Sequence, residues 1–186
     1  MNPLNRRHFL KTGLAMPFAA TLARAAESPD PLLSPGPPPL PAKDSFTVAV
    51  LPDTQLYSLR HPEGFMAQTR WLAENADSRR IRAALHLGDL THHNTPPEWE
   101  VARKALGQLD GKIPYFFLPG NHDLSERGRG SDRSTLLNDY FPVAKYRDLE
   151  TFGGTYDKEP DSMANSYHRF SAGGRKFVVI ALEFGP

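Results

Sequence analysis

Pro114-Tyr115-Phe116-Phe117-Leu118-Pro119-Gly120-Asn121-His122-Asp123 is the stretch whose reading decides the fold. An apolar run of strand length ends in a Pro-Gly turn. It then presents an amide, an imidazole and a carboxylate in a row. An amide oxygen can bind a metal, an imidazole can pass a proton and a carboxylate can orient the imidazole. The same residues also suit an ordinary Asn/Asp turn after a strand. Two further pieces, Asp53-Thr54-Gln55 and Gly88-Asp89, decide between the two readings.

Each of those pieces also follows an apolar run. Phe46-Thr47-Val48-Ala49-Val50-Leu51 precedes Asp53, and Ala83-Ala84-Leu85-His86-Leu87 precedes Gly88. Both runs predict buried strands. Between them a helix is expected from about Glu63 to Ala76, with Phe65, Thr69, Leu72 and Ala76 on one face. A second helix opens at Thr95-Pro96-Pro97-Glu98, a capping box with proline at the first helical position. Its apolar face is Trp99, Ala102, Leu106 and Leu109. Tyr115 to Leu118 is the third strand.

Strand, helix, strand, helix, strand implies two right-handed crossovers and a parallel sheet, hence an α/β fold. Asp53, Asp89 and Asn121 each lie just past the carboxyl end of a strand, 36 and 32 residues apart. Each gap is one strand-helix unit long, so the three side chains land on one edge of the sheet, where open α/β folds place their sites. Downstream, Leu124 to Arg133 reads as a polar, glycine-broken loop carrying Arg127, Arg129 and Arg133. A short helix is expected over Ser134 to Tyr140 and a loop over Phe152 to Tyr156. A β-hairpin is expected from Asn165–Ser171 and Lys176–Leu182 around Ala172-Gly173-Gly174.

The chain has 186 residues, a formal net charge of +1 and no cysteine, which excludes disulfides and thiolate metal sites. The first 25 residues hold Arg6, Arg7, Lys11 and Arg24 and no acid. Without those four, eighteen basic residues face 21 acidic ones, a net of −3. The body is thus no basic nucleic-acid binder by charge. Asn5-Arg6-Arg7-His8-Phe9-Leu10-Lys11, a short weakly apolar stretch and Ala23-Arg24-Ala25 read as a signal peptide over residues 1–25. The paired arginines resemble a twin-arginine signal, which implies the twin-arginine export machinery as partner and a periplasmic or extracellular location. The stretch is too short to span a bilayer, and no membrane span is expected in the mature chain. Residues 26–43 carry seven of the prolines and read as an extended linker. The domain itself is expected over 44–186.

Oxygen-rich donors from several strand ends suit a divalent metal such as Mn, Fe, Zn or Mg. Asp53 and Asp89 would repel each other without a cation. Taken together, Asp53-x-Gln55, Gly88-Asp89 and Gly120-Asn121-His122-Asp123, in this order and spacing, resemble the calcineurin-like metallophosphoesterase superfamily. Gln68-Thr69-Arg70-Trp71-Leu72, Glu98-Trp99 and Ile113-Pro114-Tyr115 look like one bacterial branch of it. Some members of that branch share the Asp-x-Gln form. The resemblance implies packed mixed β-sheets flanked by helices, two divalent metal ions, a phosphate-ester substrate (monoester or diester) and hydrolysis by a metal-activated hydroxide. It implies that Asp53 binds the first metal, Asp89 bridges both, Asn121 binds the second, His122 meets the phosphate or the leaving oxygen, and Asp123 orients His122.

Gln55 stands where most members have histidine, so it is a weaker carbonyl ligand or a hydrogen-bonding residue. The family completes its metal shell with later histidines, the last in a Gly-His-x-His-like segment. Between Asp123 and Pro186 the only histidine is His168. The chain is therefore expected to be C-terminally truncated, with an inactive truncated or degenerate domain as the alternative reading. His92 and His93, in a loop after Gly88-Asp89, are candidates for substrate contact or for a solvated loop. His86 is expected in the core or behind the site, and His168 on the hairpin surface. No Gly-x-Gly-x-x-Gly follows the first strand, which excludes a Rossmann nucleotide binder.

Overall fold

The computed structural model describes Gly36 and residues 39–185. The expected signal peptide over 1–25 and most of the expected linker over 26–43 lie outside the described residues. The described part of the linker is strapped to the body: the Arg80 guanidinium donates to the carbonyls of Ala42 and Lys43, and Arg79 donates to Pro39. Among the described residues no helix is long and apolar enough to cross a membrane.

The predicted alternation forms. β1 (Thr47–Leu51), β2 (Ile81–His86) and β3 (Tyr115–Phe116) make a parallel sheet in the order β1-β2-β3. α1 (Gln55–Arg60) and α2 (Pro62–Glu74) connect the first pair, and α3 (Pro96–Gly107) connects the second. The capping box at Thr95 and Glu98 is present at the start of α3. α1 is a helix beyond the two expected; its six residues are too few to show a helical period. It forms because Ser58 anchors it, donating to the Leu90 carbonyl at 2.6 Å from a buried position. β1 is an edge strand and is only partly buried; Val50 is 55% exposed. Continuous apolar character marked the strand but not its place at the sheet edge.

β3 shows how the core is divided. Alternate residues of a strand point to opposite faces. Tyr115 and Phe117 turn to the helical side, where Phe141 and Tyr146 meet them at ring separations of 4.8–6.2 Å. Phe65, Trp99, Leu106 and Leu137 fill the same core, fully buried. Phe116 turns the other way, onto His168 at 4.6 Å and Phe170 at 6.1 Å. Those two belong to a second sheet.

That sheet is antiparallel, in the order β4-β5-β6: β4 (Phe152–Thr155), β5 (Ser166–Ala172) and β6 (Arg175–Ala181). The hairpin turns on Gly173-Gly174, both at positive φ (+55° and +72°), as a tight two-residue connection requires. β4 corrects the expected loop over 152–156. Its glycines are there for close approach: a Cβ on Gly153 would lie 2.3 Å from the Tyr167 ring. His168 is likewise not on the surface. It is buried, hydrogen-bonds Ser166 at 3.0 Å and stacks on Phe116, and burial pulls its pKa down to about 4. α4 (Leu137–Tyr140) and α5 (Val143–Tyr146) join the two sheets, shorter than and beyond the single helix expected.

Candidate functional site

The three motif loops are stitched together by hydrogen bonds between strand ends. The Thr54 N–H donates to the Asp89 carbonyl at 3.1 Å, tying the first loop to the second. The His122 N–H donates to Asp89 Oδ1 at 2.9 Å, tying the third loop to the second. Asp89 adopts φ +50°, a strained conformation for a residue with a side chain. These two bonds hold it there. Gly120 must be glycine: an added Cβ would sit 2.2 Å from Asp89 Oδ1 and 2.5 Å from its backbone nitrogen.

Asp123 makes no hydrogen bond to the His122 ring, the partner that the resemblance implied for it; its carboxylate is taken up elsewhere. Its Oδ2 accepts from the N–H groups of Leu90 (2.9 Å) and Gly120 (3.0 Å). Its Oδ1 accepts from the Thr91 N–H (2.7 Å) and the Thr91 hydroxyl (2.8 Å). The carboxylate is fully buried and every partner is a donor. Burial pushes its pKa up to about 7 while those four bonds pull the other way. Asp123 is thus the clamp between the second and third loops. The His122 ring is held instead by the His92 carbonyl, 2.9 Å from Nδ1. A carbonyl only accepts, so Nδ1 carries the hydrogen and Nε2 is left to exchange a proton.

His92 and Gln55 are drawn into the same net. Gln55 Nε2 points at Asp89 Oδ2 (3.4 Å), and its Oε1 meets His92 Nδ1 at 2.8 Å. An acceptor-only carboxylate on one side places the Gln55 amide nitrogen there, so His92 donates on the other side. The His92 ring also stacks on His122, centroids 4.7 Å apart and 15° from parallel. Burial, then the neighbouring His93 and His122, lower the His92 pKa. His93 is exposed, with Nδ1 3.4 Å from the Arg127 carbonyl. His86 stands behind the site as expected. Gly88 N–H faces its Nδ1, so Nε2–H donates to Thr54 Oγ1 at 2.9 Å. Burial lowers its pKa to about 3, which keeps it neutral.

Asp53 is exposed and Asn121 half-buried beside Gly130. Burial raises the Asp89 pKa; the Asp53 carboxylate pushes it the same way, and His122 and His92 pull it down. Among the described residues no three of His, Cys, Asp and Glu stand together as a ready cation cage. The sequence-predicted oxygen donors at this edge are carboxylates and amides, Asp53, Asp89, Asn121 and Gln55, with Gln55 Oε1 engaged by His92. Hard oxygen donors of this kind, with Asp53 and Asp89 close enough to feel each other's charge, fit a divalent cation.

Thr54, Thr91 and Glu98 support this site and were not singled out from sequence as site residues. Glu98 had a signal, its capping box, but that signal speaks of a helix start rather than of the loop it holds.

A parallel β-α-β-α-β sheet with Asp, Asp and Asn-His-Asp loops at its carboxyl edge, backed by an antiparallel sheet, is a two-sheet α/β architecture with its polar loops gathered on one edge. The profile of the calcineurin-like phosphoesterases matches residues 46–179, and the chain belongs to that family. The family is built around a dinuclear metal centre. A stretch of 147 residues is 29% identical to the uncharacterized protein YvnB of Bacillus subtilis (strain 168). That stretch is 78% of this chain but spans only 11% of YvnB.

Proposed function

We propose that the chain hydrolyses a phosphate ester with the help of two divalent cations. The observation that carries this is the clamped edge: Asp89, held at positive φ by Thr54 and His122, stands between Asp53 and Asn121 over a glycine that leaves it room. Asp53, Asp89 and Asn121 would hold the cations, with Gln55 bridging Asp89 to His92. The cations, when bound, supply an activated water and neutralise charge at phosphorus. His122 meets the phosphoryl oxygens or gives a proton to the leaving oxygen through Nε2. Asp123 keeps the loops in register throughout.

The same reading takes residues 1–25 as a twin-arginine leader, 26–43 as a tether and 44–186 as the domain. It places the protein outside the cytoplasm and in the bacterial branch with the Asp-x-Gln form. A monoester or a diester suits the site equally. The test is turnover of p-nitrophenyl phosphate and bis-p-nitrophenyl phosphate with Mn²⁺, beside Asp89→Asn. Hydrolysis lost in Asp89→Asn supports the proposal. Absence of turnover, together with absence of metal-dependent thermal stabilisation, sinks it and leaves a domain without activity.

A further inference from the structure

We propose that Glu98 is a positioning residue for His122, acting through the backbone of His92. This rests on the reading of His122 as the proton-exchanging side chain. Glu98 is buried at the start of α3. Its Oε1 accepts from the N–H groups of His92 (3.1 Å) and His93 (3.2 Å). Its Oε2 accepts from the Thr95 N–H and hydroxyl. A capping box needs only the Thr95 bonds. The bonds to His92 and His93 reach further back and gather the loop that follows Gly88-Asp89 onto one carboxylate.

That loop carries the acceptor which decides how His122 stands. The His92 carbonyl takes the Nδ1–H of His122, and the His92 ring stacks beside it. The His93 N–H shares a peptide plane with the His92 carbonyl, so with both it and the His92 N–H held by Glu98 that carbonyl has little freedom to turn away. The opposite side is pinned as well. Gly128, at φ +63°, lies so close that a Cβ there would be 2.3 Å from the His92 carbonyl oxygen. A helix-capping carboxylate therefore sets both the ring angle of His122 and which of its nitrogens bears hydrogen. The chain of influence is Glu98, the His92 peptide and the His122 imidazole, with no contact between Glu98 and substrate.

The test is the ¹⁵N chemical shifts of the His122 ring at pH 8 in the metal-free 186-residue chain. These distinguish an Nδ1–H ring from an Nε2–H ring. Wild type is expected as Nδ1–H. Glu98→Ala removes the acceptor and should give a mixture of the two, with kcat down at least tenfold and KM unchanged. Glu98→Gln keeps a carbonyl oxygen for His92 and His93 and should restore the Nδ1–H ring. Thr95→Ala weakens the cap but leaves Glu98 Oε1 in place, so the ring should stay as in wild type. If Glu98→Ala does not fold, Gly128→Ala displaces the same carbonyl and is expected to give the mixture. A folded Glu98→Ala or Gly128→Ala whose His122 remains wholly Nδ1–H overturns the proposal. The ring shifts need no turnover. An inactive wild type would refute the proposed reaction while leaving this inference to be decided on its own.

Discussion

Replacing Asp123 by asparagine separates a clamp from a ring-orienting carboxylate. At pH 8, above the value of about 7 to which burial pushes it, Asp123 offers four acceptor positions to four donors. Asparagine keeps one oxygen and turns an NH₂ group toward two donors. The less costly arrangement sets the NH₂ against Thr91, whose hydroxyl can rotate to accept. The Thr91 N–H is then buried with no partner, at about 1–3 kcal/mol. The two bonds that remain change from charge-assisted to neutral and lose about half their strength. Together the loss comes to roughly 2–4 kcal/mol. For a chain of this size that is a fall in Tm of roughly 5–15 °C. Urea unfolding followed by circular dichroism reads it directly. His122→Ala, which removes only one bond from a half-buried ring, is expected to cost less than about 1 kcal/mol. An Asp123→Asn change within about 0.5 kcal/mol of wild type would refute the clamp and return Asp123 to a catalytic role alone.

Three further outcomes follow from the same geometry. Gly120→Ala forces the Asp89 carboxylate aside, since the new Cβ would lie 2.2 Å from Oδ1; it should cost about 1–3 kcal/mol and abolish thermal stabilisation by Mn²⁺. His168 is neutral in the fold, with a pKa of about 4 against an unfolded 6.5, so the unfolded chain binds more protons between those values. Its contribution is complete above pH 6.5 and is lost as pH falls toward 4, by about 2 kcal/mol at pH 5. His168→Gln should flatten that part of the stability curve, and a slope unchanged by it would contradict the assignment. Trp99→Phe removes the indole N–H that donates to Asn94 Oδ1 at 2.8 Å and leaves a smaller ring in a fully buried site; it should lower stability by about 2–4 kcal/mol in the same urea assay, and a change under about 0.5 kcal/mol would contradict this packing.

The parallel sheet, its helices α2 and α3, and the edge at which the motif loops fall were legible from local chemistry. Strand-length apolar runs, a capping box at Thr95 and Glu98, and glycine turns at regular spacing are signals written within a few residues of each other. The turn at Gly173-Gly174 is of the same kind. The signals failed where the cause lay far along the chain. Phe152-Gly153-Gly154 read as loop because the Tyr167 ring that demands those glycines is more than ten residues away. His168 read as surface because Phe116, which covers it, belongs to another sheet.

The candidate site divides the same way. Residue types and spacing alone brought Asp53, Asp89, Asn121 and His122 to one edge, because a β-α unit has a set length and a strand delivers its end to a set place. What each side chain does there was decided by the tertiary structure. Asp123 follows His122 directly, yet its carboxylate turns away to four donors on two loops. The His122 ring finds its acceptor 30 residues back, in the His92 peptide. Hydrogen bonds between loops depend on where backbone groups are left unpaired once strands and helices have formed. Sequence neighbours do not record that geometry, and only the folded chain resolves it.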